Sequence, residues 1–352
     1  MKKHHKLTWR QLLTGTGLLL LFAILTFLLS GSRRNEEKFR HAAQELFRQE
    51  MIHNTLNMHY TIAHPEDFGI LEYEARLPGY VPGVGESQLK EMEQQVHFWK
   101  KMSDRGLDDQ DAYTRKLLAL SLENSLEMQS HTYYDEPLSP ASGMQSQLPI
   151  LLAEYTFRTA EDVEDYLTLL SQTGQYYDSL LVYEQEKAAA GLPMSQSTIR
   201  KVRQQCGQIL TGESLSQGSH FLQTTFQERI NDLYIRREID RKSALSAIQR
   251  NNELLSSVLL PAYGRLDQGL SALSEQYGTE AGASGRSDNV LPRGLAAYPE
   301  GQEYYRQLLI AETGSYRSPE ELYELLKNQL LFELNTLRQL IAEHPSCALP
   351  SA

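Results

Sequence analysis

Cysteine is nearly absent from this chain, which has only Cys206 and Cys347 among its 352 residues. A small disulfide scaffold carries several cysteines, and a structural thiolate metal site takes closely spaced pairs, so the sequence excludes both. We expect two free thiols, with a single bridge between them as the alternative. The cysteine count therefore gives no indication of the redox compartment.

Clustered basic charge is also scarce. The formal net charge is −11, although Lys2, Lys3, Lys6 and Arg10 place four positive charges in the first ten residues. The rest of the chain is therefore more acidic than the whole. Nucleic-acid binding needs clustered Lys and Arg to meet the phosphates, so the composition argues against a nucleic-acid partner. We expect the acidic surface to keep the domain in solution.

The familiar catalytic motifs are missing as well. The sequence has no H-E-x-x-H helix, no G-x-S-x-G elbow and no G-x-x-x-x-G-K-[ST] phosphate loop. His41 and Glu45 are spaced to share a helical face, but such a pair usually makes a surface hydrogen bond or no contact. The carboxylates of EDVED, residues 161–165, fall in the first turn of a predicted helix, where they suit its dipole. We therefore predict no catalytic residue and no metal ligand in this chain.

One long uncharged run is present, QLLTGTGLLLLFAILTFLLSGS at residues 11–32. About 20 apolar residues span a bilayer as a helix, and a basic leading segment tends to stay in the cytoplasm. The pattern predicts a cytoplasmic basic tail at 1–10, a transmembrane signal anchor at 11–32 and an extracytoplasmic domain at 33–352. A cleaved signal peptide is the alternative, and it would release a secreted protein.

Residues 33–352 have the pattern of helices separated by turns rich in proline and glycine, with no alternating strand of useful length. The predicted class is all-α. N-caps are predicted at Asp108 or Asp109, Thr159, Ser195 and Ser318. A helical stretch at 217–277 is expected to break near Pro261. The segment EPLSPASGMQSQLP, residues 136–149, is expected to be an ordered loop that ends with a helix starting at Pro149.

Four segments carry a resemblance to a known family. They are ELFRQEMIHNTLNMHYTIAHPEDFGI (45–70), YYDEPLSPASGMQSQLPILLAEYTFRTAEDVEDYLTLL (133–170), YEQEKAAAGLPMSQSTIRKVRQQC (183–206) and GLAAYPEGQEYYRQLLIAETGSYRSPEELYELL (294–326). Together they resemble the bacterial domain of unknown function 885 family, in the order that the family shows. The similarity covers about residues 37–330.

The resemblance implies a multi-helix array like the N-terminal part of a gluzincin-type helical metallopeptidase, with a deep groove between helical halves. It also implies a zinc site on an H-E-x-x-x-G-H-like helix with a further glutamate downstream. That motif is absent here, where His344 is followed by Pro345, Ser346 and Cys347. No zinc ligand can be carried over, so zinc is expected only if a C-terminal half is supplied.

Two functions follow as hypotheses. The first is a membrane-anchored extracytoplasmic peptidase-like protein, inactive alone, in which three explanations compete: a truncated gene, a half-enzyme completed by a second chain, and a non-catalytic derivative. The second is a non-catalytic binding or scaffold module at the cell surface. A truncated chain is expected to expose an apolar patch above roughly several hundred Å², which is unusual for a finished monomer.

Six residues are candidates for the wall of a peptide-binding groove: His59, Tyr60, Glu136, Gln145, Tyr155 and Arg158. Each also has a structural interpretation, which for Glu136 is packing. His59 and Tyr60 can be satisfied groups at a helix end, Gln145 a loop hydrogen-bonder, Tyr155 core material, and Arg158 a partner for nearby acids.

Overall fold

The computed structural model describes residues 33–277, 295 and 298–344, and in these ranges the chain is all-α, as predicted. The predicted basic tail (1–10), the predicted signal anchor (11–32) and Cys347 lie outside the described residues. Within them, no helix combines the length and the apolar character that crossing a membrane requires. The helices are, in chain order, α1 (33–53), α2 (Thr55–Thr61), α3 (Glu86–Lys101), α4 (Asp109–Met128), α5 (Met144–Glu154), α6 (Ala160–Ala189), α7 (Gln196–Ile209), α8 (Gly212–Ser216), α9 (Phe221–Ile235), α10 (Arg241–Leu254), α11 (Leu260–Tyr277), α12 (Gly301–Thr313) and α13 (Pro319–Glu343).

The 30-residue helix α6 is the centre of the main core. It begins where predicted, because the Thr159 side chain accepts from the Asp162 N–H and Asp162 in turn accepts from the Thr159 N–H. Helices α10 and α11 pack against α6, while α7 lies against α11. Tyr166, Leu170 and Leu180 of α6 are fully buried in this core. A smaller core joins α1 to the α3–α4 pair, with Phe39 packed edge-on against Trp99.

The expected loop over residues 136–149 is shorter than predicted, because α5 already begins at Met144 and contains Pro149. A proline inside a helix removes the N–H that would bond the carbonyl four residues earlier. That carbonyl belongs to Gln145, and the hydroxyl of Tyr263 donates to it at 2.6 Å instead. A tertiary hydrogen bond from α11 therefore compensates for Pro149.

The interruption predicted near Pro261 is present, but it is a π-helical turn, Leu255–Leu259, that ends two residues before the proline. The chain runs from α10 through this turn into α11 without leaving the helix. The break lies earlier, after α9, where Arg237 adopts a left-handed φ of 63°. The Glu238 N–H bonds the Leu233 carbonyl at 3.0 Å, which is the helix-ending pattern that usually carries a glycine at the left-handed position.

The last two helices differ sharply in burial. Helix α12 packs on α4, and its Tyr304 is buried. Helix α13 starts at the predicted Ser318 capping box, runs for 25 residues and has no buried residue. Its apolar side chains therefore meet solvent.

Candidate functional site

His59 and Tyr155 form the centre of the first candidate site. His59 lies in the last turn of α2 and Tyr155 is the C-cap residue of α5, which brings two separate predicted segments together. The imidazole lies flat on the phenol ring, with ring centroids 3.6 Å apart and an interplanar angle of 12°. Tyr155 is fully buried and His59 is 7% exposed. The stack therefore joins α2 to the segment that leads into α6.

The hydrogen bonds of His59 determine which tautomer its imidazole adopts. Nε2 accepts from the backbone N–H of Thr156 at 3.1 Å, which assigns the ring proton to Nδ1, 3.6 Å from Oδ1 of Asp162. Burial, and then the nearby Arg158 guanidinium, lowers the pKa of His59 to about 4, while Asp162 acts in the opposite sense. The imidazole is thus neutral near pH 7, with Nε2 occupied. This arrangement suits a structural joint better than a general base or a metal ligand.

Two arginines hold the backbone around the stack. Arg158 donates from Nη2 to the His59 carbonyl at 3.3 Å. Arg229 on α9 donates to the carbonyls of Leu152 and Tyr155. Carbonyls at a helix C-terminus have no partner within the helix, so Arg229 satisfies part of the α5 end. Arg158 is half-buried and reaches solvent at its edge.

Tyr60 stands beside the stack and is 44% exposed. Its hydroxyl donates to the carbonyl of Leu151 at 2.5 Å, and burial raises its pKa to about 12. Four of the six predicted groove residues, His59, Tyr60, Tyr155 and Arg158, therefore lie together. Tyr60 and Arg158 are the two that a ligand could touch.

Gln145 lies in a different place and is completely buried. Its Nε2 donates to the Ser139 carbonyl at 2.6 Å and to Oε1 of Gln205 at 2.8 Å. Gln205 in turn donates to the Pro140 carbonyl at 2.9 Å. These bonds hold the loop between Asp135 and Met144 against α7, so Gln145 has the structural role considered for it.

A second candidate site was missed in the sequence, and Asp135 is its hub. Its carboxylate accepts from the hydroxyls of Tyr80 at 2.9 Å and Tyr304 at 3.0 Å. Its carbonyl accepts from Lys187 Nζ at 2.8 Å and the Tyr183 hydroxyl at 3.1 Å. One residue thus ties the extended segment before α3, helix α6 and helix α12 together. We call Asp135, Tyr80, Tyr183, Glu184, Lys187 and Tyr304 the tyrosine–carboxylate cluster.

Glu184 is the unusual member of this cluster. It is 1% exposed, and neither carboxylate oxygen has a hydrogen-bond partner among the residues that the structure describes. Burial raises the pKa of Glu184 to about 7, Lys187 lowers it, and the exposed Glu136 adds to the rise. Glu136, the last predicted groove residue, therefore borders this second site. The sequence does carry an indication of it, since Glu184 and Lys187 follow Leu180 along the buried side of α6.

The side chains of these two candidate sites offer few groups for catalysis or metal binding. Buried carboxylates with perturbed pKa values are common at functional sites, although structural networks produce them too. Both oxygens of Asp135 are already bonded to phenols. Across the described ranges, no group of three or more His, Cys, Asp or Glu side chains is placed to hold a metal ion. A catalytic zinc needs three protein ligands, so the described side chains do not fit the zinc that the family resemblance implies.

Comparisons with known proteins place the chain in context. Residues 65–346 match a family model described as "Bacterial protein of unknown function (DUF885)". No curated protein matches the sequence. The crystal structure described as "the putative lipoprotein from Colwellia psychrerythraea" matches with a TM-score of 0.60 at 16% identity, over 90% of this chain and 52% of that chain. The chain spans about half the length of that protein, and the likeness establishes the fold alone.

Proposed function

The chain belongs to the DUF885 family of bacterial proteins of unknown function, and from this membership we propose that it is a membrane-anchored, extracytoplasmic, peptidase-like protein. The observation that carries the proposal is the family match over residues 65–346, which includes almost all of the described helical body. The peptidase character comes from the resemblance of the family to gluzincin-type enzymes, in which a helical wall faces a catalytic half.

The envelope location has two supports. The matched structure from Colwellia psychrerythraea is described as a "putative lipoprotein", and residues 11–32 of this chain carry no charge and follow a basic segment. In the proposal, residues 11–32 anchor the chain and place its body outside the cytoplasm. An alkaline phosphatase fusion after residue 60 tests the orientation, with activity expected. An inactive fusion overturns it, and carbonate extraction of the untagged protein separates an anchored from a cleaved form.

The proposed role of this chain is to bind and orient a peptide, not to activate water. Tyr60, Arg158 and Glu136 reach solvent and offer a hydroxyl, a cation and an anion to a polar backbone or a charged terminus. The described side chains do not include a set that fits zinc. Zinc, if supplied on another chain, would contribute a Lewis acid at that chain's own ligands.

The test uses the purified protein alone. Elemental analysis after dialysis against zinc is expected to show less than stoichiometric metal, and a panel of peptides is expected to remain uncleaved. Stoichiometric zinc together with peptide hydrolysis would show a complete active site in this chain and overturn the proposal.

A binding or scaffold module is the second candidate. It is favoured because the side chains of His59 and Asp135 already hydrogen-bond within the protein, which leaves few groups in either site for catalysis. The DNA that follows the coding sequence separates the two candidates. An H-E-x-x-x-G-H segment there, in any frame, supports a split or broken peptidase or a half-enzyme. Unrelated sequence supports the binding module.

A further inference from the structure

A cleft of about 490 Å³ lies between the start of α1 and one side of α3. Three exposed lysines line it, Lys38 from α1 and Lys90 and Lys101 from α3, together with Phe98 and Met102. We call this surface the lysine cleft. It shares no residue with either candidate site described above.

The lysine cleft is positively charged in a chain whose net charge is −11. Its three lysines face one lining carboxylate, that of Glu93. In the part of the chain that the structure describes, the lysines that form ion pairs are others: Lys100, Lys116 and Lys327. The cleft therefore offers three ammonium groups to an anionic ligand.

The cleft also has an apolar side. Met102 is 8% exposed, and Phe98 is half-buried in the small core of α1, α3 and α4. The Nζ of Lys38 lies 5.0 Å from the centroid of the Phe98 ring. A lysine stem packs along apolar surface while its ammonium group stays in water. The combination suits a ligand that carries an anionic group next to an apolar one.

The position of Lys38 in the sequence places the cleft next to the predicted signal anchor. The described part of α1 begins at residue 33, directly after the predicted anchor at 11–32. Five residues of α-helix span about 8 Å, so Lys38 lies only that far along α1 from the end of the anchor. If residues 11–32 span a bilayer, the cleft lies at the surface of that bilayer.

Contacts of α1 with the rest of the domain hold this arrangement in place. Nδ2 of Asn35 donates to the carbonyl of Ser103 at 2.7 Å and to that of Arg105 at 3.0 Å, which ties the first turn of α1 to the segment after α3. One turn further along, Phe39 packs edge-on against Trp99. The start of α1 therefore has a defined position relative to the cleft.

We propose that the lysine cleft binds the headgroup of an anionic phospholipid, such as phosphatidylglycerol, in the membrane that holds residues 11–32. The three ammonium groups meet the phosphate, and Phe98 and Met102 contact the glycerol and the first acyl carbons. A free phosphate would leave these two apolar side chains without a partner. Each lysine near an anionic bilayer strengthens the attraction about fivefold, so the three together contribute about a hundredfold.

The inference rests on the proposed function, because it takes the membrane anchor from it. What it adds is a second attachment to the same membrane. With the anchor and the cleft both held at the bilayer, the helical body keeps one orientation relative to the membrane surface.

Titration of the full chain in neutral detergent tests the binding. Native mass spectrometry follows the binding of short-chain phosphatidylglycerol and, separately, of phosphatidylcholine. The cleft variant combines Lys38→Gln, Lys90→Gln and Lys101→Gln. The control variant removes the same charge by Gln substitutions at three exposed lysines of other helices, which are Lys201, Lys242 and Lys327.

We expect the wild type and the control variant to bind phosphatidylglycerol at least about tenfold more tightly than phosphatidylcholine, and the cleft variant to lose about a hundredfold in affinity for phosphatidylglycerol. Circular dichroism is expected to show both variants folded. Equal affinity for the two lipids, or equal losses in the two variants, overturns the inference. Inorganic phosphate or a polyglutamate peptide that binds as tightly as phosphatidylglycerol also overturns it.

Carbonate extraction of the full chain from membranes reports on the anchor separately. If the cleft selects phosphatidylglycerol in detergent but carbonate releases the protein, the lipid-binding cleft stands and the anchoring proposal fails. If the protein stays in the membrane but shows no lipid preference, the anchoring proposal stands and the cleft inference is overturned.

Discussion

The hydroxyl of Tyr263 donates a hydrogen bond to the carbonyl of Gln145 at 2.6 Å, across 118 residues of sequence. Gln145 precedes Pro149 by four positions, so its carbonyl is the one that the proline leaves without an N–H donor. The bond is buried, and the Tyr263 hydroxyl also lies 3.1 Å from that of Tyr177. Helix α11 thus supplies the hydrogen-bond donor that α5 lacks because of Pro149. The proline in α5 therefore depends on how the two helices pack.

Tyr263→Phe is expected to lower the free energy of unfolding by about 1–3 kcal/mol, because it leaves the buried Gln145 carbonyl without a donor. In a Pro149→Ala background, the new backbone N–H can reach that carbonyl, so the same substitution should cost less. Urea unfolding of the four proteins in a double-mutant cycle measures the coupling, with about 1 kcal/mol expected. A coupling near zero would show that the hydroxyl does not compensate for Pro149.

Glu184→Gln is expected to stabilise the protein at pH 8 and to have little effect at pH 5. The folded-state pKa of Glu184 is raised from 4.5 to about 7, so its contribution is fully present below pH 4.5 and is lost as the pH rises through 7. The loss corresponds to about 3 kcal/mol at 1.36 kcal/mol per pH unit. Urea unfolding at both pH values measures it, and Glu186→Gln, at an exposed position of the same helix, is the control. An equal gain at pH 5 and pH 8 would contradict the assignment.

His59 is expected to change the stability of the protein with pH in the direction opposite to Glu184. Its pKa falls from 6.5 to about 4 on folding, so its contribution is present above pH 6.5 and is lost as the pH falls toward 4. His59→Phe keeps a ring on Tyr155 but cannot titrate. Between pH 7 and pH 4, the wild type should therefore lose about 3 kcal/mol more unfolding free energy than the variant.

The comparison is made by urea unfolding of both proteins across this pH range. His97→Phe, at an exposed position on α3, is the matched control and should leave the wild-type pH dependence unchanged. If His59→Phe follows the wild type through the whole range, the imidazole is not buried as a neutral group.

The helix starts could be predicted from the sequence because a cap is a local interaction. Thr159, Ser195 and Ser318 all cap where expected, since each side chain bonds an N–H three residues away. The effects of Pro149 and Pro261 on the helices could not be predicted in this way. Pro149 lies inside α5, where the distant Tyr263 hydroxyl bonds the Gln145 carbonyl, and Pro261 lies in the first turn of α11, after a π-helical turn.

The candidate sites show the same difference between local interactions and contacts that depend on the tertiary fold. His59 and Arg158 were both candidates because they lie in segments that carry the family resemblance, and the structure places them in contact. The Asp135 hub was missed because its partners come from positions 80, 183, 187 and 304, which only the tertiary fold brings together. Glu184 carried one local indication, a charged residue on the buried side of α6, and burial rather than spacing gives it its raised pKa.

Gly143→Ala is expected to destabilise the loop that ends at α5. Gly143 is the N-cap of α5 with an ordinary φ of −72°, so the reason is space and not backbone conformation. A Cβ there would overlap the Gln145 side-chain oxygen and the backbone of Ser139. Such overpacking costs about 1–3 kcal/mol, measured by urea unfolding. Gly207→Ala, inside α7 with nothing near the added Cβ, should instead stabilise by about 0.5–1 kcal/mol. If Gly143→Ala left the free energy of unfolding unchanged, the loop would have to move to make room for the Cβ. Gln145 would then not hold the loop in one conformation.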